Sequence, residues 1–298
     1  MPARKLAIIE APSNLGLTTS GVEELPTALL NAGLAAKLAA RLVGRLKPPA
    51  HESTKDSGTG VLNASPIADY AMTLAGAIEA VIDDGDVPLV LGGDCSILLG
   101  CLLAMRRRGR SGLFFIDAHA DFFQPEAEPL GEVASMELAL ATGNGPSVLV
   151  DLEGRGPLVR EEDVAAFGRR DEEDSEQSGS QRIEDTKVKL ISLTDIRRDG
   201  AQPLLEDALR HLDARHLDGF WLHLDADVLD DAINPAVDHR IEGGLSWDEL
   251  TAALKAAFAT GHVKGMDITI LNPRLDKDGT IVRRFVDAVA EGLGAGAR

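Results

Sequence analysis

The sequence has 298 residues, of which 44% are hydrophobic, and it carries a formal net charge of −18 at pH 7. This length and apolar content suffice for one large α/β domain or two small ones. Because so acidic a surface repels phosphate backbones, we expect no nucleic-acid partner, although the charge fits both solubility and attraction of cations. No apolar run approaches the ~20 residues that span a bilayer, so we also expect no membrane association.

The chain has two cysteines, Cys95 and Cys101, which lie six residues apart on one segment. This spacing offers no disulfide framework. The amino-terminal residues also lack the apolar core and cleavage pattern of a secretory leader. Together these features predict a cytoplasmic protein.

Short apolar runs alternate with amphipathic stretches along the chain. Near-continuously apolar runs are typical of strands in a parallel sheet that is covered on both faces, and such runs occupy 5–10, 88–93, 112–117, 188–193, 219–225 and 263–271. Apolar residues at helical spacing predict helices at 27–42, 68–84, 134–143, 203–212, 248–260 and 283–293. Ser246 and Glu249 have the spacing of a capping box at the start of one of these helices.

This alternation predicts a doubly wound α/β sheet, in which ligands bind beyond the carboxyl ends of the strands. One stretch interrupts it: residues 169–185 are acidic and lack periodicity. We interpret this stretch as a solvated loop within one domain that spans residues 1–298.

Acidic residues follow two of the predicted strands in closely spaced motifs, DAHAD at 117–121 and DAD at 225–227. Residues two apart in an extended segment project to the same side, so Asp117, His119 and Asp121 can converge. Asp225 and Asp227 can pair in the same way. Four carboxylates and an imidazole, with no lysine or arginine among them, would repel one another strongly without bound cations. A single DxD is often a helix cap or a solvated turn, but the two motifs together predict a metal site with more than one ion.

The ordered set of motifs resembles the ureohydrolases, the family of arginase, agmatinase and their relatives. GGDCS (92–96) is similar to the family's GGDHS, DAHAD to its DAHxD, and DADVLD (225–230) to its DxDxxDP. GGL (243–245) and DITILNP (267–273) are similar to its GGL and DxxExNP. The resemblance implies an α/β fold with three layers, α/β/α, and a mostly parallel central sheet. It also implies metal-dependent hydrolysis of a linear C–N bond in a guanidino or amidino compound.

By this resemblance, two Mn²⁺ ions would be bridged by Asp117 and Asp225, and a hydroxide held between the ions would be the nucleophile. Asp121 would also orient that hydroxide. The full set of implied metal ligands is Cys95, Asp117, His119, Asp121, Asp225 and Asp227.

Position 95 is the first departure from the family pattern, because a cysteine stands where the family has a histidine ligand. A thiolate is softer than an imidazole and shifts metal preference toward zinc or iron, whereas the oxygen-rich partners favour manganese. Two alternatives stay open: Cys95 is a ligand of altered character, or it is a small buried residue beside a single ion. Another divalent metal is therefore also open.

Two further departures concern the substrate side of the site. Phe123 replaces an asparagine that the family uses for substrate recognition, and nearby Gln124 and Glu132 offer polar groups instead. The histidine of the family's HGxP segment, a proton shuttle, has Ala134 at the equivalent position. We consider Glu126 and His239 as its replacements, each of which could equally be an ordinary surface residue.

The fourth departure is Ile270, which stands where the family's guanidinium-binding glutamate stands in DxxExNP. A bidentate carboxylate contact is a large part of guanidinium recognition. Arginine and agmatine are therefore doubtful substrates, and we expect a less charged group, such as an N-hydroxyguanidine, a formimidoyl group or another amidine, or an amide. The alternative is that a glutamate between residues 126 and 132 supplies the missing charge from the other side. The loop at 234–244 also lacks the glycines of the family's corresponding stretch.

These features predict a binuclear metal-dependent amidinohydrolase that acts on a small molecule and, by resemblance, forms a homo-oligomer. The alternative from another class is a catalytically silent relative that binds metal as a binding or scaffold protein. A cysteine hydrolase built on Cys95 and His119 is disfavoured, because nearby carboxylates raise a thiol pKa rather than lower it.

Overall fold

The computed structural model describes residues 5–294. Its framework is one eight-stranded sheet with the order β2-β1-β3-β8-β7-β4-β5-β6, in which every strand pair is parallel. The strands are β1 (Leu6–Glu10), β2 (Arg41–Arg45), β3 (Val87–Leu91), β4 (Gly112–Ile116), β5 (Val164–Arg169), β6 (Lys189–Ser192), β7 (Phe220–Asp225) and β8 (Val263–Thr269).

Helices connect the strands and cover both faces of the sheet, as parallel crossovers require. The α-helices are Leu25–Asn31, Leu34–Leu38, Ala64–Asp83, Leu98–Arg108, Glu137–Ala141, Ser147–Val150, Glu172–Ser178, Leu193–Asp199, Ala201–Asp213, Trp247–Ala259 and Thr280–Gly294. The predicted capping box of Ser246 and Glu249 opens the helix Trp247–Ala259. The three-layer α/β/α fold with a parallel central sheet is thus confirmed.

Two apolar cores lie on opposite faces of the sheet. Alternate residues of β4 divide between them: Phe114 and Ile116 belong to one core, and Leu113 and Phe115 to the other. Strands β3, β4, β5 and β7 are buried at every residue. This burial explains their continuous apolar sequences, because neither face of such a strand meets water.

Three segments differ from the sequence-based expectation. The stretch 27–42 is two short helices that end at Ala39, whose φ is 49°, followed by strand β2. Strand β2 is exposed at all five positions, so it lacks the apolar pattern of its neighbours. Strand β5 is absent from the elements predicted from the sequence, because its sequence, VAAFGR, is short and contains few large apolar residues. The stretch 169–185 contains a helix and a 3₁₀ turn (Ile183–Asp185), and its Arg169 and Asp171 are buried as an ion pair rather than solvated.

The four neighbouring strands at the centre of the sheet, β3, β8, β7 and β4, are those that end in the unusual motifs. Parallel strands place their carboxyl ends at one edge of the sheet. GGDCS, DITILNP, DADVLD and DAHAD therefore meet there, although roughly 25 to 175 residues of chain separate them, counted from the start of one motif to the start of another. Within residues 5–294 no helix has the length and hydropathy needed to cross a bilayer.

Gly93 allows the loop after β3 to approach the loop after β1. A Cβ atom at residue 93 would lie 1.7 Å from the carbonyl oxygen of Ser13. In this close contact the Asp94 amide donates to that oxygen at 3.0 Å, and the Ser13 hydroxyl donates to the Asp94 carboxylate at 2.7 Å. Backbone atoms occupy the space, so a side chain at residue 93 requires the loop to move.

We expect Gly93→Ala to destabilise the protein by about 2 to 3 kcal/mol, because overpacking against backbone cannot be relieved by a rotamer change. Gly76→Ala is the matched control: Gly76 lies inside the helix Ala64–Asp83 with nothing within 4 Å of the added methyl group. That control should gain roughly 0.5 to 1 kcal/mol. Urea unfolding midpoints measure both, and equal midpoints for the two variants would contradict the close-contact argument.

Candidate metal centre and active site

A buried acidic cluster lies at the carboxyl edge of β3, β8, β7 and β4. All six predicted metal ligands are in it, and five of them are almost fully buried. The exposed fractions are 1% for Cys95, 1% for Asp117, 5% for Asp121, 2% for Asp225 and 4% for Asp227. His119 is partly exposed.

The same local hydrogen bond shapes both aspartate motifs. One oxygen of Asp117 accepts from the His119 amide at 2.7 Å, and one oxygen of Asp225 accepts from the Asp227 amide at 2.7 Å. Each aspartate thereby turns the chain immediately after its strand and fixes its own carboxylate. The turn keeps the residue two positions later at the same edge of the sheet, which accounts for the DxH and DxD spacings.

The predicted ligands fall into two neighbouring groups. Asp117, His119 and Asp227 place one potential ligand atom each within 4.8 Å of one another, with His119 Nδ1 at 2.9 Å from Asp227 Oδ2. Cys95 lies deeper: its thiol donates to Asp225 Oδ2 at 3.0 Å and lies 3.2 Å from the Thr269 hydroxyl. Asp121, at a φ of 44°, joins Cys95 in the second group.

Two residues that the sequence did not single out complete this second group. Glu137 lies with Cys95 and Asp121, and His223 lies with Cys95 and Asp225, in each case within 4.8 Å. Both residues are 0% exposed. A signal for them exists in the sequence, because each is a lone ionisable residue in an apolar run, MELALA for Glu137 and FWLHL for His223.

Burial and mutual repulsion raise the pKa of most carboxyls in the cluster. Burial raises the pKa of Asp121, Glu137 and Asp225 well above the ordinary value, and neighbouring carboxylates raise it further. Asp117 is the exception: its burial acts in the same direction, but the adjacent His119 and His223 lower its pKa overall.

Burial and the nearby carboxylates also shift the pKa values of the buried imidazoles and of the Cys95 thiol. Burial disfavours charged His119 and His223, but neighbouring carboxylates together outweigh it, so both pKa values are raised. These carboxylates are chiefly Asp227 and Asp117 for His119, and Asp267 and Asp117 for His223. Burial and the charge of Asp225 raise the pKa of the Cys95 thiol. The cluster therefore retains protons strongly when no cation neutralises it.

Arg170 is a basic residue that the fold, rather than the local sequence, brings to this region. Its guanidinium donates to the backbone carbonyl oxygens of Asp227 at 2.8 Å and of Leu229 at 3.2 Å. Within the described residues its hydrogen bonds go to carbonyl oxygens, so Arg170 supports the loop after β7 from behind.

The donor set of this cluster fits divalent cations. Asp117 Oδ2, both oxygens of Glu137 and His223 Nε2 are buried and have no hydrogen-bond partner among the described residues. Buried polar atoms are rarely left unpaired, and an ion is one of the partners that can satisfy them. Carboxylates with imidazoles suit manganese, while the thiol of Cys95 is the only soft donor.

A cavity of about 530 Å³ opens onto the cluster. Its lining includes four of the residues predicted to face substrate or to carry protons, namely Phe123, Glu132, His239 and Ile270. Ala134, in place of the family's histidine, also lines it. Ile270 has a φ of 69°. This conformation is unusual for a β-branched residue, and such strain tends to occur at functional sites.

Gln124 and Glu126 are not among the lining residues of this cavity. The side-chain oxygen of Gln124 accepts from the Ser180 hydroxyl at 3.0 Å and from the Gln181 amide at 2.6 Å. Gln124 thus joins the loop after DAHAD to the segment around residue 180. Glu126 is exposed on that loop.

Glu132 and His239 lie next to each other in the lining of the cavity. Glu132 is 3% exposed and accepts hydrogen bonds from the amide of Thr18 at 2.6 Å and from the Thr18 hydroxyl. His239 Nε2 lies 3.5 Å from the second oxygen of Glu132. Glu132 raises the pKa of His239, and this places a fixed carboxylate next to a half-exposed imidazole at the mouth of the cavity.

The parallel sheet with a carboxylate and imidazole cluster at its carboxyl edge defines an α/β protein with a candidate metal centre. The model of the Arginase family matches residues 4–293, so the chain belongs to that family. It is 32% identical over 299 residues to an arginase from Staphylococcus aureus (strain COL), covering 98% of this chain and 97% of that protein.

Solved structures show the same relationship. The structure of arginase from Bacillus cereus is similar with a TM-score of 0.86 and 29% identity, covering 98% of each chain. The fold is also shared with formimidoylglutamase from Bacillus subtilis, with a TM-score of 0.72 and 20% identity over 98% of this chain and 87% of that one. At this lower identity the likeness concerns the fold alone.

We expect Mn²⁺ to stabilise the protein more as pH rises. The raised pKa values of Asp121, Glu137 and Asp225, and of His119 and His223, mean that the metal-free folded state binds more protons than the unfolded chain. Stability of the metal-free protein is therefore lost as pH increases from about 5 to about 8, while metal binding improves as ligands deprotonate.

Thermal unfolding of chelator-treated protein, with and without added Mn²⁺, measures this difference across the same pH range. A Mn²⁺-induced increase in Tm that shrinks toward pH 8 would contradict the titration argument. The lowered pKa of Asp117 does not enter the comparison, because its effect on stability is lost only at more acidic pH.

Proposed function

We propose that this protein hydrolyses a linear C–N bond in a guanidino or amidino compound, using two Mn²⁺ ions. The observation that carries the proposal is that all six implied ligands meet in one buried cluster on an arginase-family fold. Because residue 95 is a cysteine, the alternatives to be tested are a site with a single ion and a site with another divalent metal. We further propose that residues 1–298 form one domain of a cytoplasmic homo-oligomer.

The two groups of the cluster would hold one ion each. Asp117, His119 and Asp227 would hold one ion, and Cys95, Asp121 and Asp225 would contribute to holding a second ion on the deeper side of the cluster. When bound, the ions would lower the pKa of a water molecule and polarise the substrate. Asp121, which lines the cavity, would orient that water by accepting a hydrogen bond.

His239 is the residue that we propose carries a proton to the departing amine. It lines the cavity, and Glu132 at 3.5 Å favours its protonated form. A protonated imidazole at the rim can donate to a leaving group and exchange with solvent. Glu126, which is exposed and outside the cavity lining, has less structural support in this role.

The cavity walls indicate the substrate class. Phe123 and Ile270 present apolar surface beside the cluster, and the charged residues of the lining are acidic apart from two histidines. Among the described lining residues no lysine or arginine is available to pair with a substrate carboxylate. The substrate is therefore proposed to carry an amidine or weakly basic guanidine and a neutral or cationic far end.

The alternative of a catalytically silent relative is not favoured. The chain matches curated arginases over nearly its full length. The buried carboxylates would also be costly to retain in a protein that had no use for cations.

A panel of small molecules tests the proposed function directly. Purified protein with added Mn²⁺ would be assayed with arginine, agmatine, guanidinobutyrate, N-hydroxyarginine, formimidoylglutamate and amidines that lack a carboxylate, and its bound metal measured by elemental analysis. The expected result is two bound ions and a turnover of the amidines without a carboxylate that exceeds the turnover of arginine, agmatine and the carboxylate-bearing compounds. Bound metal without any turnover would favour the silent alternative.

Ile270→Glu should increase kcat/KM for agmatine about tenfold, because a charge-assisted hydrogen bond contributes roughly 1.5 to 3 kcal/mol. Ile270→Gln is the control of the same length without charge, and we expect it to give a smaller change. Steady-state kinetics of the two variants make the comparison. Equal effects of the two substitutions would show that a charge at residue 270 does not determine whether a guanidinium compound is selected.

His239→Asn should lower kcat about 100-fold with little change in KM, since general acid catalysis is typically worth 10² or more. In the unchanged protein the active form of His239 is protonated, so kcat should fall as pH rises through its raised pKa, and the variant should lose this decline. Added imidazole should restore part of kcat. A variant with normal kcat and an unchanged pH profile would exclude the role.

A further inference from the structure

The unpaired buried atoms of this protein are concentrated in one place. Six buried side-chain oxygen or nitrogen atoms in residues 5–294 have no hydrogen-bond partner. Four of these six belong to only three residues, Asp117, Glu137 and His223. Unpaired polar atoms scattered by chance would not converge, and buried groups of this kind cost free energy unless something pairs with them.

The three residues also present their atoms to one another. Asp117, Glu137 and His223 each place a potential ligand atom within 4.8 Å of the other two. His223 Nε2 lies 3.6 Å from Asp117 Oδ2, a distance that allows electrostatic attraction but is too long for a hydrogen bond. All three side chains are at most 1% exposed.

His223 is held in the orientation of a metal ligand. Its Nδ1 lies 2.6 Å from Asp267 Oδ2, and the other oxygen of Asp267 accepts from the Trp221 indole at 2.5 Å. Phe115 stacks on the imidazole with ring centroids 4.7 Å apart. A carboxylate on one ring nitrogen with the other nitrogen directed at a cation is the usual arrangement for ligating histidines.

Glu137 is aimed at the same point by the start of its helix. The amides of Leu138 and Ala139 donate to the backbone oxygen of Asp121 at 3.1 and 3.2 Å, which fixes the first turn beside the cluster. In sequence, Glu137 is three residues after Ala134, at the position where the HGxP segment ends in proline. This protein therefore has a carboxylate next to Cys95 at the position where the HGxP segment has a proline, whose side chain cannot bind a metal ion.

We propose that Glu137 and His223, together with Asp117, form a rebuilt ligand set for the deeper ion of the proposed binuclear site. The imidazole lost at residue 95 is supplied by strand β7, and an added carboxylate is supplied by the helix Glu137–Ala141. Cys95 then serves mainly as a hydrogen-bond donor to Asp225. This inference rests on the proposed function, because it concerns the composition of that same metal site.

The test compares Mn²⁺ binding by the full-length protein and four variants after removal of metal with a chelator. Bound ions per chain are measured by elemental analysis after gel filtration, and affinity by titration. Glu137→Gln and His223→Gln should each weaken the second ion at least tenfold, so that one ion is recovered where the unchanged protein retains two. Cys95→Ser and Glu128→Gln should retain two ions.

The two controls separate ligation from packing. Glu128 is 8% exposed and lines the same cavity, but it accepts a hydrogen bond from the Glu132 amide and lies outside the cluster. Tm without metal provides a second readout. Glu137→Gln should keep or raise it, because an amide carries no buried charge, whereas loss of a purely structural carboxylate would lower Tm with and without Mn²⁺ alike.

The outcomes distinguish this inference from the proposed function. If the unchanged protein retains no manganese, the proposed function fails along with the rebuilt site. If it retains two ions and Glu137→Gln also retains two at unchanged affinity, only the rebuilt site is overturned. If His223→Gln fails to fold, the ion count of Glu137→Gln still tests the rebuilt ligand set. Loss of the second ion in Cys95→Ser, with retention in Glu137→Gln, would return the ligand role to the thiol.

Discussion

The mutual repulsion of buried carboxylates is the constraint on which this structure depends. Five acidic side chains, Asp117, Asp121, Glu137, Asp225 and Asp227, lie together where water cannot screen them. Such an arrangement is stable only when protons or cations neutralise it. The parallel sheet holds most of these groups in place against that repulsion, because Asp117, Asp121, Asp225 and Asp227 lie at or near the end of a fully buried strand. The helix that carries Glu137 is joined to the cluster by backbone hydrogen bonds to the Asp121 carbonyl oxygen.

Most of the fold and part of the site follow from local sequence. A strand buried on both faces must be apolar throughout, so β1, β3, β4, β7 and β8 are recognisable, and two-residue spacing after a strand fixes Asp117 with His119 and Asp225 with Asp227. Strand β2 is not predicted from the sequence, because an exposed edge strand lacks the continuous apolar pattern. Glu137 and His223 are visible in the sequence only as lone ionisable residues in apolar runs. Their contacts depend on how a helix and a strand distant in sequence pack against residue 95, so the sequence does not show which groups they meet.

The site combines two kinds of change relative to the family pattern that the motifs resemble. On the metal side, a cysteine stands at residue 95 where the family pattern has a histidine, and the imidazole of His223 and the carboxylate of Glu137 lie beside it. On the substrate side, Phe123, Ala134 and Ile270 each replace a polar group by an apolar one. The groups suited to binding cations thus stay together, whereas the residues that the family pattern assigns to substrate recognition differ.

The hydrogen bond from the Ile270 amide to the Gly93 carbonyl oxygen, 2.8 Å long, joins these two sides. Gly93 is two residues before Cys95, and Ile270 forms the wall of the cavity. The wall of the cavity and the loop that carries Cys95 are therefore joined through the backbone. A backbone shift that reshapes the wall at residue 270 would also move that loop. Natural or designed changes in preference should consequently be accompanied by adjustments in the loop after β3.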